Sequence, residues 1–109
     1  MATSGSCIDT DLVHYVVVRA DLPHGSQVAQ VIHAAGESAT PLPTPGTIAV
    51  ALHARDEQHL IQIAESLWRA KIPCHRVFEV DGQLMSVGVA PTTDRDAVRK
   101  VLSSLPLVR

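Results

Sequence analysis

The stretch LVHYVVVR, residues 12–19, decides the fold, because it is almost continuously apolar and rich in β-branched side chains. An uninterrupted run of this kind is typical of a central strand that helices cover on both faces. The sequence that follows, ADLPHGS at residues 20–26, combines proline, glycine and a hydroxyl side chain, which favours a loop ending in a helix cap. We therefore predict a buried first strand, a short loop, and a helix with Ser26 as its N-cap.

That helix is predicted from Gln27, because apolar side chains recur at helical spacing behind the loop. It should end near residues 36–39, and its buried face should consist of Val28, Val31, Ile32 and Ala35. Three prolines then exclude regular structure over residues 40–46, since each lacks an amide proton and restricts the residue before it. A stiff, irregular connector is expected there.

The next two elements are a strand over residues 47–52 and a second helix that begins at Asp56 and Glu57 and runs to Lys71. Acidic side chains at the start of a helix and cations in its last turn both suit the helix dipole. The predicted buried face of this helix is Leu60, Ile63, Ala64, Leu67 and Ala70.

Two further strands, over residues 74–80 and 83–90, are predicted to pair through Asp81 and Gly82, a dipeptide that forms tight hairpin turns. Residues 93–96, TDRD, resemble a capping box, so a third helix should follow. A short apolar segment, LPLV, then lies near the carboxyl terminus.

The order β-α-β-α-β-β-α predicts a three-layer α/β/α fold around a mixed four-stranded sheet. Strand-helix-strand crossovers give parallel pairs, and the hairpin adds an antiparallel strand. Residues 12–109 should form a single domain. Residues 1–11 are polar, and we expect them to be a flexible tail.

Composition excludes several classes of function. The chain has 109 residues, which suits one domain, and a net charge of −2, so any polyanion must be held by local contacts. Aromatic residues make up only 3%, which disfavours stacking on bases; Trp68 is either a partner anchor or peripheral core. The sequence has no GxSxG elbow, phosphate-binding lysine loop or dinucleotide fingerprint. His14, His53, His59 and His75 lack ligand spacing, so we predict neither metal nor cofactor.

The first residues, MATSGSCIDTD, lack the pattern of a signal peptide, and no apolar run approaches membrane-spanning length. The two cysteines, Cys7 and Cys74, provide no disulfide framework. A cytoplasmic protein without a membrane partner is therefore expected.

Two motifs connect this chain with a known family. VVRADL at residues 17–22 is followed by AQVIHAA at residues 29–35, and together they resemble the opening of type 2 peptidyl-tRNA hydrolases. Weaker similarity continues through SVGVAP at residues 86–91 to LPL at residues 105–107. The resemblance covers residues 12–109 and implies the mixed-sheet fold of that family, hydrolysis of the ester between peptide and tRNA, and a homodimer.

The loops that carry chemistry in that family are altered here. Its lysine-bearing loop is similar to MGKGK, whereas this chain has HGSQ at residues 24–27, with Ser26 where a lysine would precede the helix. Its second loop, similar to DAGRTQIAPG, is shortened to EVDG at residues 79–82 and lacks the threonine. The chain is therefore most similar to the divergent peptidyl-tRNA hydrolase domain-containing branch, in which that lysine is also absent.

The residues present predict a remnant of that ester-hydrolysing site. Ser26 and the free amides of the helix start would bind an anion, because a helix N-terminus concentrates unpaired N–H groups. Glu79 or Asp81 would orient a water molecule beside His24. The residues predicted to bind substrate or tRNA are Gly25, Gln27, Gln30, His33 and Arg76.

Each assignment has a structural alternative. The helix start is then a capped helix that binds nothing, Asp81 serves the turn, and Glu79 is a solvated strand end. His33 is then a hydrogen-bonded residue packed against the first strand. For the whole protein, the alternatives are a non-catalytic module that binds tRNA, an anion or a protein on the same scaffold, and a metabolic small-molecule hydrolase.

Overall fold

The computed structural model describes residues 12–40 and 42–109. The predicted order of elements is confirmed; the tail predicted at residues 1–11 lies outside the described residues. The elements are β1 (Val13–Arg19), α1 (His24–Glu37), β2 (Ile48–Ala54), α2 (Glu57–Arg69), β3 (Cys74–Phe78), β4 (Leu84–Val89) and α3 (Arg95–Leu102).

The sheet has the strand order β2-β1-β4-β3. β1 and β2 are parallel, while β4 runs antiparallel to both β1 and β3. The chain moves from β1 to one edge through α1 and then to the other edge through α2. Because such crossovers are right-handed, opposite directions of travel put α1 and α2 on opposite faces of the sheet. The three-layer α/β/α fold is confirmed.

β1 is the central strand that its sequence predicts, with every residue buried. Its odd-numbered residues, with β4 and the inner faces of α2 and α3, form the larger core, which includes Leu60, Leu67, Val98 and Leu102. The cluster on the other face is smaller and centres on Val16, Ala34 and Val77. No helix within the described residues is long and apolar enough to cross a membrane.

α1 differs from its prediction in both its start and its buried face. The helix begins at His24 with Pro23 at the N-cap position, so Ser26 is not the cap but lies in the first turn. Val28 and Ile32 are 50% and 64% exposed, whereas the buried residues are Gln27, Gln30 and Ala34. The helix is rotated because Gln27 makes hydrogen bonds beneath it, which the apolar pattern alone does not reveal.

The other corrections are local. Asp56 caps α2 by accepting from the His59 amide, and the buried face of α2 is as predicted except for Ala70, which is exposed. Asp94, rather than Thr93, is the N-cap of α3.

The β3–β4 connection is a three-residue loop, since the Glu79 amide donates to the Gln83 carbonyl and Gly82 adopts a φ of 90°. Glycine suits that left-handed position, which closes hairpins of this length.

His14 on β1 and Ser38 at the end of α1 form a buried polar contact. The Ser38 hydroxyl donates to the Ala34 carbonyl at 2.6 Å, so it accepts from His14 Nε2, which lies 2.8 Å away. Burial lowers the pKa of His14 below its ordinary value of 6.5. The folded state therefore prefers the neutral imidazole.

This contact predicts that the folded state loses stability as the pH is lowered. Because the folded pKa of His14 is depressed, the unfolded chain binds more protons below pH 6.5, and stability is lost as the pH falls through the folded pKa. His14→Gln keeps a nitrogen donor for Ser38 but cannot titrate. Urea unfolding at several pH values should show a steeper loss of stability for the parent than for H14Q. Identical slopes would contradict the assignment.

Candidate functional site

Because β4 is antiparallel to both β1 and β3, the three strands β1, β2 and β3 run in the same direction. The candidate site lies at the carboxyl ends of these strands, where ligands bind in open α/β sheets. The loop from β1 into α1, the start of α2 and the β3–β4 turn all meet at this end of the sheet. The topology therefore gathers the polar loops there.

The start of α1 is an exposed set of backbone donors. Pro23 provides no side-chain hydrogen bond, and the first turn contains no acidic residue. His24, Gly25 and Ser26 occupy that turn and are exposed. The first amides of a helix lack intrahelical partners and lie in its positive potential. This end of α1 therefore has the chemistry of an anion-binding helix start.

Gln27, one turn into α1, joins this helix to β2. Its Nε2 donates to the Leu22 carbonyl at 2.8 Å and to the Ala20 carbonyl at 3.3 Å. These two acceptors orient the amide so that Oε1 faces the ring of His53, 2.6 Å from its Nε2. Since Oε1 only accepts, His53 Nε2 must carry the proton.

His53 is thus held in one tautomer, and in the neutral ring Nδ1 keeps its electron pair. No group within the described residues donates a hydrogen bond to that nitrogen. Histidine is the side chain best suited to accept a proton near neutral pH. The Gln27 contact therefore both orients the ring and leaves one nitrogen available as a base.

A cavity of about 350 Å³ opens beside His53, within the size range of small-molecule sites. His59 Nδ1 accepts from the Arg55 amide at 3.0 Å, so in the neutral ring its Nε2 is the donor. The cavity thus combines one basic and one donating imidazole with a guanidinium. Its lining is Ala20, His53, Ala54, Arg55, His59, Ser104, Leu105 and Pro106.

Arg19, at the end of β1, connects two loops at this end of the sheet. Its Nε and Nη2 each donate to the carboxylate of Asp21 at 2.9 Å. Its Nη1 donates to Gln83 Oε1 at 3.0 Å and to the Leu84 carbonyl at 3.2 Å. The hydrogen bonds from Arg19 hold the pKa of Asp21 below its usual value. The loop before α1 and the hairpin turn are thereby fixed relative to each other.

The predicted acids lie near this network but are not built into a catalytic pair. Asp81 and Glu79 are both exposed. Asp81 Oδ1 accepts from the Gln83 amide at 3.0 Å and its Oδ2 from Gln83 Nε2 at 3.1 Å. Ser26 and His24 share this end of the sheet with them, yet no hydrogen bond between the two groups occurs within the described residues. Asp81 thus has the turn chemistry of the structural alternative.

The predicted binding residues are dispersed. Gln27 is buried and occupied by His53, and Gln30 is buried with no partner for its Oε1 among the described residues. His33 is exposed, so the prediction that it packs against the first strand is wrong. Arg76 lies on the α2 face of the sheet, beside Glu57 and Phe78, whereas α1 covers the other face. Residues 24–30 and Arg76 therefore do not share one surface.

His53 is the residue that the sequence analysis missed. Its signal was its place at the end of a strand that runs parallel to β1, where functional side chains collect. The spacing test for metals rejected it, and within residues 12–40 and 42–109 no group of three His, Cys, Asp or Glu side chains is placed to hold a metal ion. A base needs no such cluster.

Among solved structures, a protein of unknown function from Agrobacterium tumefaciens strain C58 is similar to this chain. The TM-score is 0.75 at 12% sequence identity, and the match covers 91% of this chain and 98% of that one. At this identity the similarity extends to the fold alone. No family model and no curated protein matches the chain.

Proposed function

We propose that this protein is a hydrolase of the peptidyl-tRNA type, acting on the ester between an acyl group and the terminal ribose of tRNA. The observation that carries the proposal is His53, held by Gln27 with Nδ1 available as a base and joined through Gln27 to the donor-rich start of α1. The resemblance of residues 17–22 and 29–35 to that family supports the substrate class.

In this mechanism, water attacks the ester carbonyl while His53 Nδ1 takes its proton. The carbonyl oxygen gains charge that amide donors or Arg55 stabilise. The carbon–oxygen bond to the ribose then breaks, and the protonated imidazole returns a proton to the leaving oxygen. The uncapped amides at residues 24–26 would hold a phosphate of the substrate.

The test is turnover of a labelled peptidyl-tRNA by the purified chain and by His53→Gln. Glutamine keeps a nitrogen that can donate to Gln27 but has no basic nitrogen. Loss of a general base lowers the rate by about 100-fold or more, and we expect that loss in kcat with little change in KM. An unchanged kcat would remove His53 from the mechanism.

His75→Gln is the matched control, because His75 pairs with Glu37 away from the site and should leave turnover unchanged. Ser26→Ala, Glu79→Gln and Asp81→Asn test the residues that the sequence predicts. From the sequence, each change is expected to lower turnover without unfolding the domain, whereas the His53 mechanism gives none of these three side chains a step; full activity in all three would clear them. A parent protein that leaves the ester intact at stoichiometric amounts would overturn the hydrolase itself.

A non-catalytic binding module on the same scaffold is the second candidate. It is favoured by Asp81, whose two carboxylate oxygens are occupied by Gln83 within the turn. This candidate predicts that tRNA binds without being cleaved. Because the contacts are to phosphates, its affinity should fall steeply as salt rises.

A further inference from the structure

A second cavity, of about 510 Å³, lies where α2 ends and β3 begins. It is at the amino end of β3, away from the β3–β4 turn and the candidate site. Ile72, Pro73 and Cys74 give it an uncharged floor, since burial raises the pKa of the Cys74 thiol. We call it the Trp68 groove, lined by Trp68, Arg69, Lys71, Ile72, Pro73, Cys74 and Arg76.

The charge of the Trp68 groove is opposite to that of the chain. The chain is net acidic, at −2, yet three of its nine Lys and Arg residues line this one cavity: Arg69, Lys71 and Arg76. None of the lining residues is acidic. Glu65 lies 4.0 Å from Arg69 in an exposed pair, which contributes little, and Glu57 and Glu65 line the adjoining cavity that Arg76 also borders. The groove is therefore complementary to an anion.

Trp68 adds an exposed aromatic surface beside these cations. It is 72% exposed, so the interpretation of Trp68 as peripheral core is wrong. Large exposed aromatic side chains are depleted on surfaces that bind nothing and enriched where a partner stacks on them. An indole beside three cations matches the pairing of base stacking with phosphate contacts that single-stranded nucleic acids use.

The backbone conformation of Lys71 is a further observation that points to a role for its side chain in the groove. It has a φ of 60°, the left-handed region. At the end of a helix that position is normally glycine or asparagine, because a Cβ is disfavoured there. A lysine in this conformation is explained if its side chain is used in the groove that it lines.

We propose that the Trp68 groove binds a nucleotide unit of single-stranded nucleic acid, with the base stacked on Trp68 and the flanking phosphates held by Arg69, Lys71 and Arg76. This site is separate from the proposed ester-hydrolysing site. A free nucleotide offers the same base and phosphate, and the experiment distinguishes the two sources.

The chain has only two lysines, which makes a matched pair of variants available. Binding of a fluorescent single-stranded RNA octamer is followed by anisotropy for the parent, Lys71→Gln and Lys100→Gln. Lys100 is exposed on α3, outside the groove. Loss of one phosphate contact removes the release of its counterions, so K71Q should bind about eightfold more weakly at about 50 mM salt and K100Q should match the parent. Equal affinities for K71Q and the parent would overturn the proposal.

Lys71→Gly separates binding from folding. Glycine relieves the left-handed backbone, so the melting temperature should not fall, while RNA affinity should fall as in K71Q. Trp68→Leu should weaken binding at least about fivefold through lost stacking. A K71G variant that binds like the parent would contradict a role for the side chain.

Trp68 is the only tryptophan and serves as the reporter for the source of the nucleotide. Quenching of its fluorescence by the octamer at much lower concentration than by adenosine monophosphate supports a strand. Equal potency of the two per nucleotide assigns the groove to a free nucleotide instead and overturns the strand. Absence of quenching by both overturns the site, whatever the hydrolase assay gives.

Discussion

Gly88→Ala should destabilise the domain by about 3 kcal/mol, as inserting volume into a packed interior does. Gly88 lies on β4 directly beneath the end of α1. A Cβ there would overlap the Ala34 carbonyl oxygen and the Ser38 hydroxyl, and would lie 2.7 Å from Ser38 Cβ. The first of these is helix backbone, which moves only if α1 lifts from the sheet. Urea denaturation monitored by circular dichroism measures the loss.

Gly36→Ala is the matched control, because a Cβ at Gly36 would meet nothing within 4 Å. In a helix this change is neutral or stabilises by up to about 1 kcal/mol. Ser38→Gly should not rescue G88A, since the Ala34 carbonyl remains. A G88A protein as stable as the parent would mean that α1 does not sit against β4 as closely as described.

The elements of this fold were predictable because their signals are local. The β-branched run of β1, the acidic start of α2 at Asp56 and the Gly82 turn each depend on residues close together in sequence. Where a pattern of this kind and the packing agree, sequence alone predicts the architecture. The strand order and the two helical layers then follow from the handedness of the crossovers.

The buried face of α1 was not predictable in the same way. Apolar periodicity selects Val28 and Ile32, but the helix turns Gln27 toward the sheet, where its amide bonds two carbonyls and His53. Residues 27 and 53 are 26 positions apart. Hydrogen bonding over that separation leaves no trace in the spacing of apolar residues, so both the rotation of α1 and the contact between Gln27 and His53 emerge only in three dimensions.

The same limit applies to the candidate site. The sequence predicts the site at the loops before α1 and after β3, and it selects the exposed acids there together with Arg76. Arg76 instead lines the Trp68 groove on the α2 face. Strand alternation decides which face a side chain occupies, and a shift of register between Val77 and Phe78 makes that decision difficult to read from sequence.

The RxD spacing within the family-like motif has a structural explanation. Arg19 and Asp21 form a two-bonded ion pair, and Arg19 is 8% exposed. Its donors bond Asp21, Gln83 and the Leu84 carbonyl, so Arg19 stabilises the loops around the candidate site. The motif therefore belongs to the scaffold of the candidate site, while the proposed chemistry rests on His53 and the helix start.

Arg19→Met should destabilise the domain by about 2–3 kcal/mol at neutral pH. Methionine fills most of the buried volume, so the loss comes from polar groups: the Leu84 carbonyl and Gln83 lose their shared donor, and Asp21 loses its partner. Unsatisfied buried acceptors cost about 1–3 kcal/mol. Asp21 adds less than a fully buried charge would, because its side chain is 40% exposed and water replaces the arginine.

The pH dependence of this effect separates its two sources. Arg19 holds the pKa of Asp21 below the ordinary 3.8, so that part of the stability is present above pH 3.8 and is lost as the pH falls through the folded pKa. The gap between the parent and R19M should therefore narrow in acid and leave the contribution of Gln83 and Leu84. Arg95→Met, at the exposed start of α3, should stay within about 0.5 kcal/mol of the parent.

Hydrogen exchange should also be faster in R19M at both residues 20–23 and 79–83, because Arg19 alone bonds both loops in the described part of the chain. Faster exchange at only one of these loops would contradict its role as their connection.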